Sequence, residues 1–254
     1  FADLAEKMGD RTTEQGRLYR RDMKLALGLD PDKKIVLLMG GGEGVGSLGT
    51  IAEKLYLKLR KSGVDASICV VCGRNEKLKN EFETKDWDAF HADSMKKGPS
   101  TRSKMAKFIK RKVSENVIAD SSDGSSREGD VNVIGLGFVS NMADYMVASS
   151  VLVSKAGPGT IAEAASIGLP VMITSYLPGQ EAGNVDIVLD GGFGAYEENP
   201  KKIAEKLSAW LKDDSLIDEM SKRSEEAGNP HAAADIAKDI GEITLEIMEK
   251  NKKR

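Results

Sequence analysis

The sequence predicts an α/β fold in which a doubly wound, Rossmann-like parallel sheet carries helices on both faces. Apolar, strand-like segments alternate with helical segments along most of the 254 residues. The strand-like segments are apolar on nearly every residue, which is typical of parallel strands buried between two helix layers. Short turns join the segments, as expected for repeated strand–helix–strand units.

The individual elements follow from hydrophobic periodicity and helix-capping residues. Residues 2–27 read as helix and loop with a basic cluster at Arg17, Arg20, Arg21 and Lys24. Strands are predicted at 34–39, 66–72, 131–139, 149–157, 170–175 and 193–197. Helices are predicted at 48–62, from 76 onward, at 141–148, 158–169 and 179–192, and from 199 to the C-terminus. Asn199 is expected to cap its helix, with Pro200 at the first helical position.

Three regions are expected along the chain. Residues 1–30 form a linker and lead-in helix, 31–240 form the main domain, and 241–254 form a basic C-terminal helix or tail. A polar insertion at about 85–130 interrupts the domain, and its Gly/Ser-rich end reads as a mobile loop. The basic stretch 103–117 is either a solvated insertion helix, which we favour, or a helix that rests on a membrane surface.

Composition excludes several classes of protein. The chain is 40% hydrophobic and 30% charged, with a formal net charge of −3. That balance argues against nucleic acid as the main partner. The sequence contains neither an apolar run as long as a membrane span nor a signal peptide. Because it opens with Phe1 rather than Met, we expect a fragment that lacks an N-terminal part.

Cys69 and Cys72 form a C-x-x-C pattern, which in other contexts indicates a redox or zinc site. Here the pair lies in a β-branched apolar run that reads as a buried strand. Residues three apart on a strand point to opposite faces. The cysteines are therefore expected to be core residues rather than a disulfide or a metal half-site, and we identify no metal site.

Two glycine-containing turns are candidate phosphate sites. The turn at 40–46, "GGGEGVG", matches neither G-x-G-x-x-G nor a P-loop, so a structural turn is as good an interpretation as a phosphate site. The second turn lies at a helix N-terminus, where free N–H groups and the helix dipole favour an anion. It contains Gly157, Pro158, Gly159 and Thr160.

Polar residues near the second turn suit a hydroxylated ligand. Glu163, one turn into the helix, is placed to accept hydrogen bonds from two vicinal hydroxyls, although a carboxylate there also suits the helix dipole alone. Gln180, Glu181 and Asn184 cluster on the next turn and suit a sugar. Glu181 alternatively caps the following helix. Arg74, after the second strand, suits a phosphorylated ribose.

Six ordered segments resemble the C-terminal half of the plant and algal monogalactosyldiacylglycerol synthases. They are "LLMGGGEGVGS", "VVCGRN", "GFVSNM", "KAGPGTIAEA", "GLPVMIT" and "GQEAGN". This family belongs to the two-domain GT-B glycosyltransferases of family 28. The resemblance covers roughly residues 25–210 apart from the insertion.

The resemblance implies a donor-binding half that holds UDP-galactose and uses no further cofactor. The backbone at Phe138 and Val139 is expected to hold uracil, and Glu163 to bind the ribose. The turn from Gly157 to Thr160 would lie against the diphosphate. Gln180 and Glu181 would select galactose hydroxyls, and Asn184 would support their turn. Further contacts are expected from Gly41, Gly42, Glu43, Ser47 and Arg74.

The implied reaction transfers galactose from UDP to diacylglycerol with inversion, in glycolipid biosynthesis. No general base is evident in this chain, because His91 and His231 lie outside the motifs and read as surface residues. The resemblance implies that the base, the diacylglycerol site and an anionic-lipid site belong to the absent N-terminal half. It also implies a peripheral position on the plastid (chloroplast) envelope membrane.

Two other functions remain open from the residues alone. An NAD(P)-dependent oxidoreductase would bind its dinucleotide at the 40–46 turn. A UDP-sugar binding module would hold the donor without catalysing transfer.

Overall fold

A computed structural model describes residues 1–40, 45–96 and 127–252. Its six strands form one sheet in which every neighbouring pair is parallel. The strands are β1 (Lys34–Met39), β2 (Ala66–Val71), β3 (Val131–Leu136), β4 (Val151–Lys155), β5 (Val171–Ser175) and β6 (Gly194–Tyr196). The predicted α/β class and doubly wound parallel sheet are confirmed.

The spatial order of the strands is β3-β2-β1-β4-β5-β6. The chain builds outward from β1 in one direction and then returns to place β4 on the other side of β1. This order is that of dinucleotide-binding folds, and ligands of such sheets bind where the order reverses, beyond the carboxyl ends of the strands. The fold therefore directs attention to the turns after β1 and β4.

The helices follow the strands and cover both faces of the sheet. They are α1 (Ala2–Met8), α2 (Glu14–Ala26), α3 (Val45–Lys61), α4 (Glu76–Thr84), α5 (Trp87–Lys96), α6 (Met142–Ala148), α7 (Pro158–Ser166), α8 (Ala182–Asp190), α9 (Pro200–Trp210), α10 (Asp214–Ala227) and α11 (Ala232–Lys252). One core layer packs α3 and α9 against the sheet, and the opposite layer packs α6, α7 and α8. Central strand residues such as Val36 and Leu37 are fully buried.

Local capping chemistry sets the start of several helices. The predicted cap at Asn199 is confirmed, because its side chain accepts hydrogen bonds from the N–H groups of Lys201 and Lys202 at 3.0 and 3.3 Å. Asn75 caps α4 in the same way, through the N–H of Leu78 at 3.0 Å. These side chains satisfy amide groups that the first turn of a helix leaves without an intrahelical acceptor.

Residues 1–30, expected to be a linker and lead-in helix, pack firmly on the domain. Arg11 is fully buried between α1 and α2, and its guanidinium donates to the carbonyl oxygens of Ile167, at 3.0 Å, and Ser149. Those two residues are the C-caps of α7 and α6. A cation at helix C-termini is stabilised by the helix dipole. Burial, and then the charge of Arg20, holds the pKa of Arg11 well below its usual range.

The region predicted to be an irregular insertion from residue 85 contains a helix. In α5, the rings of Trp87 and Phe90 contact Tyr56 of α3, with centroids 4.9 and 6.5 Å apart. An aromatic cluster therefore anchors α5, and the predicted bounds of the insertion stay a prediction. Residues 97–126, which include the predicted basic helix, lie outside the described residues.

The C-terminal helix α11 runs without a break through residue 240, where we had expected the main domain to end. One side of it exposes Ile236, Ile240, Ile243 and Ile247, each more than half accessible. The predicted domain boundaries thus stay predictions. Among the helices described, none is both long and apolar enough to cross a membrane.

Both cysteines are free and buried, as expected for core residues. Burial raises the pKa of Cys69 to about 12 and is the main cause that raises the pKa of Cys72 to about 11. Neither thiol is therefore a reactive thiolate at neutral pH.

Candidate nucleotide-sugar site

The candidate site lies along the carboxyl edge of the sheet. Because all six strands are parallel, the turns after β1, β2, β3, β4 and β5 meet at this one edge. Gly41, Gly42 and Glu43 lie outside the described residues, as does the side chain of Ser47. Gly40 is described, and a β-carbon there would lie 2.7 Å from Cδ1 of Leu48. Packing of Leu48 therefore explains the absence of a side chain at Gly40.

The turn after β4 presents backbone N–H groups at the start of α7. Gly157 occupies the N-cap position without a side-chain cap, and Pro158 follows at the first helical position. The N–H of Gly157 is held by the carbonyl of Lys155 at 2.8 Å. A β-carbon added to Gly159 would meet nothing within 4 Å. As first-turn residues of α7, Gly159 and Thr160 have N–H groups without an intrahelical acceptor, at the positive end of the helix dipole.

Glu163 lies on the next turn of α7 and is half-buried. Burial raises the pKa of its carboxyl group above the usual range. A partly desolvated carboxylate forms stronger hydrogen bonds with hydroxyl donors than an exposed one does. The position suits the predicted contact with two vicinal hydroxyls.

Glu181 is turned into the protein rather than toward the open edge. One of its carboxylate oxygens pairs with Nζ of Lys155, and the other accepts the N–H of Leu177 at 2.8 Å. Its side chain is only 8% exposed. The bonds to Lys155 and Leu177 lower the pKa of Glu181 against the opposing effect of burial.

One of the two sequence interpretations of Glu181, the helix cap, needs correction. Both carboxylate oxygens have protein partners, and the expected contact with sugar hydroxyls stays a prediction. Glu181 does stand at the N-cap position of α8, but it forms no side-chain cap. It instead reaches back four residues to hold the turn. Lys155, which we did not predict as a site residue, is the partner that this arrangement depends on.

Asn184 joins the two turns. Its Nδ2 donates to the carbonyl of Ala156 at 2.8 Å, which links the start of α8 to the turn after β4. This is the supporting position expected for Asn184. The neighbouring Gln180 is exposed, and it follows Gly179, whose φ of 80° gives the turn its shape. Of the two residues expected to select the sugar, Gln180 is the one whose side chain faces solvent.

Arg74 and Phe138 form a second group at the same edge, beyond β2 and β3. Cζ of Arg74 lies 5.8 Å from the ring centroid of Phe138, within cation–π range. Phe138 is 72% exposed, which is unusual for so large an apolar side chain. Val139 beside it is partly exposed. A flat, exposed aromatic–guanidinium pair offers a surface on which a nucleobase can stack.

The histidines lie away from these groups. His91, expected at the surface, has a side chain that is only 13% exposed, with Nε2 3.9 Å from Glu128. His231 lies near Glu6 of α1, with Nε2 3.5 Å from its carboxylate. Across residues 1–40, 45–96 and 127–252, no group of three or more His, Cys, Asp or Glu side chains is arranged to hold a metal ion.

Comparison with known proteins gives concordant matches. The model of the glycosyltransferase family 28 C-terminal domain matches residues 109–240. The chain is 33% identical over 234 residues to monogalactosyldiacylglycerol synthase 2, chloroplastic, of Arabidopsis thaliana, covering 89% of this chain and 40% of that protein. It is 32% identical over 235 residues to the probable monogalactosyldiacylglycerol synthase 3, chloroplastic, of Oryza sativa subsp. japonica, covering 90% of this chain and 38% of that protein. The chain thus spans about two fifths of the length of these relatives.

Among solved structures, the chain is similar to MurG of Acinetobacter baumannii, with a TM-score of 0.54 and 18% identity. The match covers 89% of this chain and 53% of that one. At this identity the likeness concerns the fold. It agrees with the predicted C-terminal half of a GT-B glycosyltransferase.

Proposed function

Because the chain belongs to the glycosyltransferase family 28 C-terminal domain family, we propose that it binds UDP-galactose as the donor-binding half of a galactosyltransferase. The whole enzyme would transfer galactose to diacylglycerol with inversion and form monogalactosyldiacylglycerol. The observation that carries the proposal is the pair of linked turns after β4 and β5, of which the turn after β4 lies where the strand order reverses.

The geometry supports a distinct contact for each part of the donor. Uracil would stack near Arg74 and Phe138, beside the backbone of Val139, and the ribose hydroxyls would donate to Glu163. The diphosphate would accept hydrogen bonds from the N–H groups of Gly159 and Thr160. Gln180 would contact the galactose. No further cofactor enters the proposal, and Gly41, Gly42, Glu43 and Ser47 are proposed as additional contacts from the turn after β1.

The chemistry that these residues supply is stabilisation of the leaving group. As the bond between the anomeric carbon and the diphosphate breaks, negative charge grows on the phosphate oxygens. Fixed N–H groups at a helix N-terminus stabilise that charge without having to reorganise. The ammonium of Lys155 lies next to the same turn, about 3.4 Å from the position a β-carbon on Gly157 would occupy, and its charge is shared with Glu181.

The acceptor side of the reaction would come from outside this chain. The base that takes the proton from the acceptor hydroxyl, the diacylglycerol groove and the anionic-lipid site are proposed for the other half of the enzyme. Two relatives named above are described as chloroplastic. We accordingly place the enzyme in the plastid, peripherally on the envelope membrane.

Titration calorimetry with UDP tests the donor site. We expect the chain to bind UDP, and Glu163→Ala to weaken binding by about thirtyfold, since it removes charge-assisted hydrogen bonds worth about 2 kcal/mol. Glu205→Ala, on the exposed face of α9, is the matched control and should leave the affinity unchanged. Equal UDP affinity in the Glu163 variant and the wild type would remove the ribose contact from the proposal.

Two further measurements separate the alternatives. Tighter binding of NADH than of UDP would favour the oxidoreductase. Binding of UDP by a full-length protein that fails to transfer galactose would favour the non-catalytic module.

A further inference from the structure

We propose that the chain carries an anion site, selective for a phosphate group, at the amino edge of the sheet, opposite the proposed donor site. Arg20 and Lys24 of α2 are its ligands. The site lies in a cavity of about 630 Å³, here called the basic groove, which is lined by Arg17, Arg20, Arg21 and Lys24 together with Glu14 and Pro31. The proposal does not depend on UDP-galactose binding at the opposite edge.

The position of the groove follows from the fold. A second cavity of about 210 Å³ shares Arg17, Arg20 and Lys24 with the basic groove. It extends inward to Lys34 at the start of β1 and to Ser150 just before β4. The two cavities therefore run from the surface of α2 to the amino ends of the two central strands.

Most cations around these cavities already have a carboxylate partner. Arg17 pairs with Asp218, Arg21 with Asp32 at 2.6 Å, and Lys34 with Asp214. Lys33, which also lines the inner cavity, pairs with Asp130 at 2.8 Å. These pairs hold the walls of the groove in place.

Arg20 and Lys24 differ from the other cations of the groove. Within the described residues, neither forms an ion pair with a carboxylate. Arg20 donates through Nη2 to the carbonyl of Ser149 at 3.3 Å. Its buried Nε has no hydrogen-bond acceptor among the residues that the structure describes. Lys24 donates to the carbonyls of Pro31 and Lys33 at 3.2 and 2.7 Å.

Two desolvated positive charges without a directly bonded carboxylate are costly, because burial penalises each and they repel each other, and Asp218, Asp30 and Asp32 act on them only from beyond ion-pair distance. Burial lowers the pKa of Arg20 to about 10. Burial and the neighbouring charge of Arg20 lower the pKa of Lys24 to about 8. A bound anion would give Arg20 and Lys24 the directly bonded negative charge that the neighbouring carboxylates do not supply. An arginine fork beside a lysine ammonium suits the oxygens of a phosphate group.

Lys24 already has a purely structural role, because two of its three N–H donors hold the backbone carbonyls of Pro31 and Lys33. That role does not explain why a second cation, Arg20, lines the same cavity with most of its five donors unused. The phosphate group could belong to a free phosphate compound or to a lipid headgroup, and the experiment separates these sources.

The first measurement uses the wild-type chain with inorganic phosphate. In a nitrogen–proton NMR spectrum, phosphate should shift the Nε–H signal of Arg20 and the amide signal of Ser150 in a saturable way. Calorimetry should give an affinity that Arg20→Gln weakens about tenfold, as expected for loss of a charge-assisted contact. Arg223→Gln, which removes an equal charge from the exposed face of α10, should leave it unchanged.

The second arm mixes the chain with phosphatidylcholine vesicles, with and without phosphatidic acid. Binding to phosphatidic acid that Arg20→Gln abolishes, without saturable binding of inorganic phosphate, would assign the site to a lipid headgroup. Absence of both forms of binding, or shifts confined to the carboxyl edge, would overturn the proposal. The NMR titration of the wild-type chain with phosphate tests the proposal even if Arg20→Gln fails to fold. UDP affinity should be the same for Arg20→Gln and the wild type, so failure here is distinguishable from failure of the donor site.

Discussion

Replacing Arg11 by Met should destabilise the domain by about 3 kcal/mol. The substitution keeps a long side chain but removes two charge-assisted hydrogen bonds, each worth about 1.5 to 3 kcal/mol. Ile167 would then have a buried carbonyl without its donor, whereas Ser149 keeps a longer bond from Arg20 at 3.3 Å. Relief of the desolvation of this buried charge, and of its repulsion with Arg20, offsets part of the loss. The net value therefore lies at the low end of the roughly 3 to 6 kcal/mol that the two bonds contribute.

Thermal unfolding followed by circular dichroism measures this effect. For a chain of this length, about 3 kcal/mol corresponds to a fall in Tm of about 9 °C. Arg11→Lys, which retains one cation and fewer donors, should lie between the wild type and Arg11→Met. Arg223→Met is the control on the surface and should change the free energy of unfolding by less than about 0.5 kcal/mol. An unchanged or raised Tm for Arg11→Met would refute the reasoning, because desolvation would then equal or exceed the bonds.

Five further predictions concern the stability of the domain and the proposed donor site. Lys24 has a lowered pKa in the folded state, so the unfolded chain binds more protons between pH 8 and about 10.4. The free energy of unfolding, measured by urea unfolding, should therefore rise with pH across that window more in the wild type than in Lys24→Met. If the free energies of the two proteins change with pH in parallel, the prediction is wrong. Gly194→Ala should cost at least about 2 kcal/mol, because its β-carbon would lie 2.1 Å from the carbonyl oxygen of Val171, whereas Gly183→Ala, with open space around it, should not destabilise. Glu181→Gln should lower both the Tm and the affinity for UDP, because it disturbs the turn; a loss confined to turnover would restore a direct sugar contact. Gln180→Ala should weaken binding of UDP-galactose but not of UDP, and this chain alone should not transfer galactose to diacylglycerol in a radiolabel assay.

The sequence predicted the sheet well because its strands are short, apolar and separated by strong turn signals. β1 was predicted with its observed bounds, and the cap at Asn199 was read from local chemistry alone. Helix α5 was missed because its periodicity is weak and its order comes from aromatic contacts with Tyr56, a residue about thirty positions earlier in the chain. A single sequence gives no direct signal for such a contact.

The side chains of the site also fall into two groups, those set by local sequence and those set by a distant partner. The positive helix end at Gly157 and the exposed position of Gln180 follow from residue type and turn chemistry, and the structure shows both. The inward orientation of Glu181 depends on Lys155, 26 residues earlier. A lysine as the last residue of a buried strand was the available clue, since a cation there needs a partner from a neighbouring turn.

The bonds of Lys155 to Glu181 and of Asn184 to Ala156 have a consequence for protein engineering. The loop from Tyr176 to Asn184 is not an independent cassette, because each of its two anchors lies on the preceding strand–turn unit. Grafting that loop alone from a relative with a different sugar preference would carry over the sequence without the anchors that shape it. A graft that tests the proposed sugar contacts in this scaffold has to move residues 155–160 and 176–184 together.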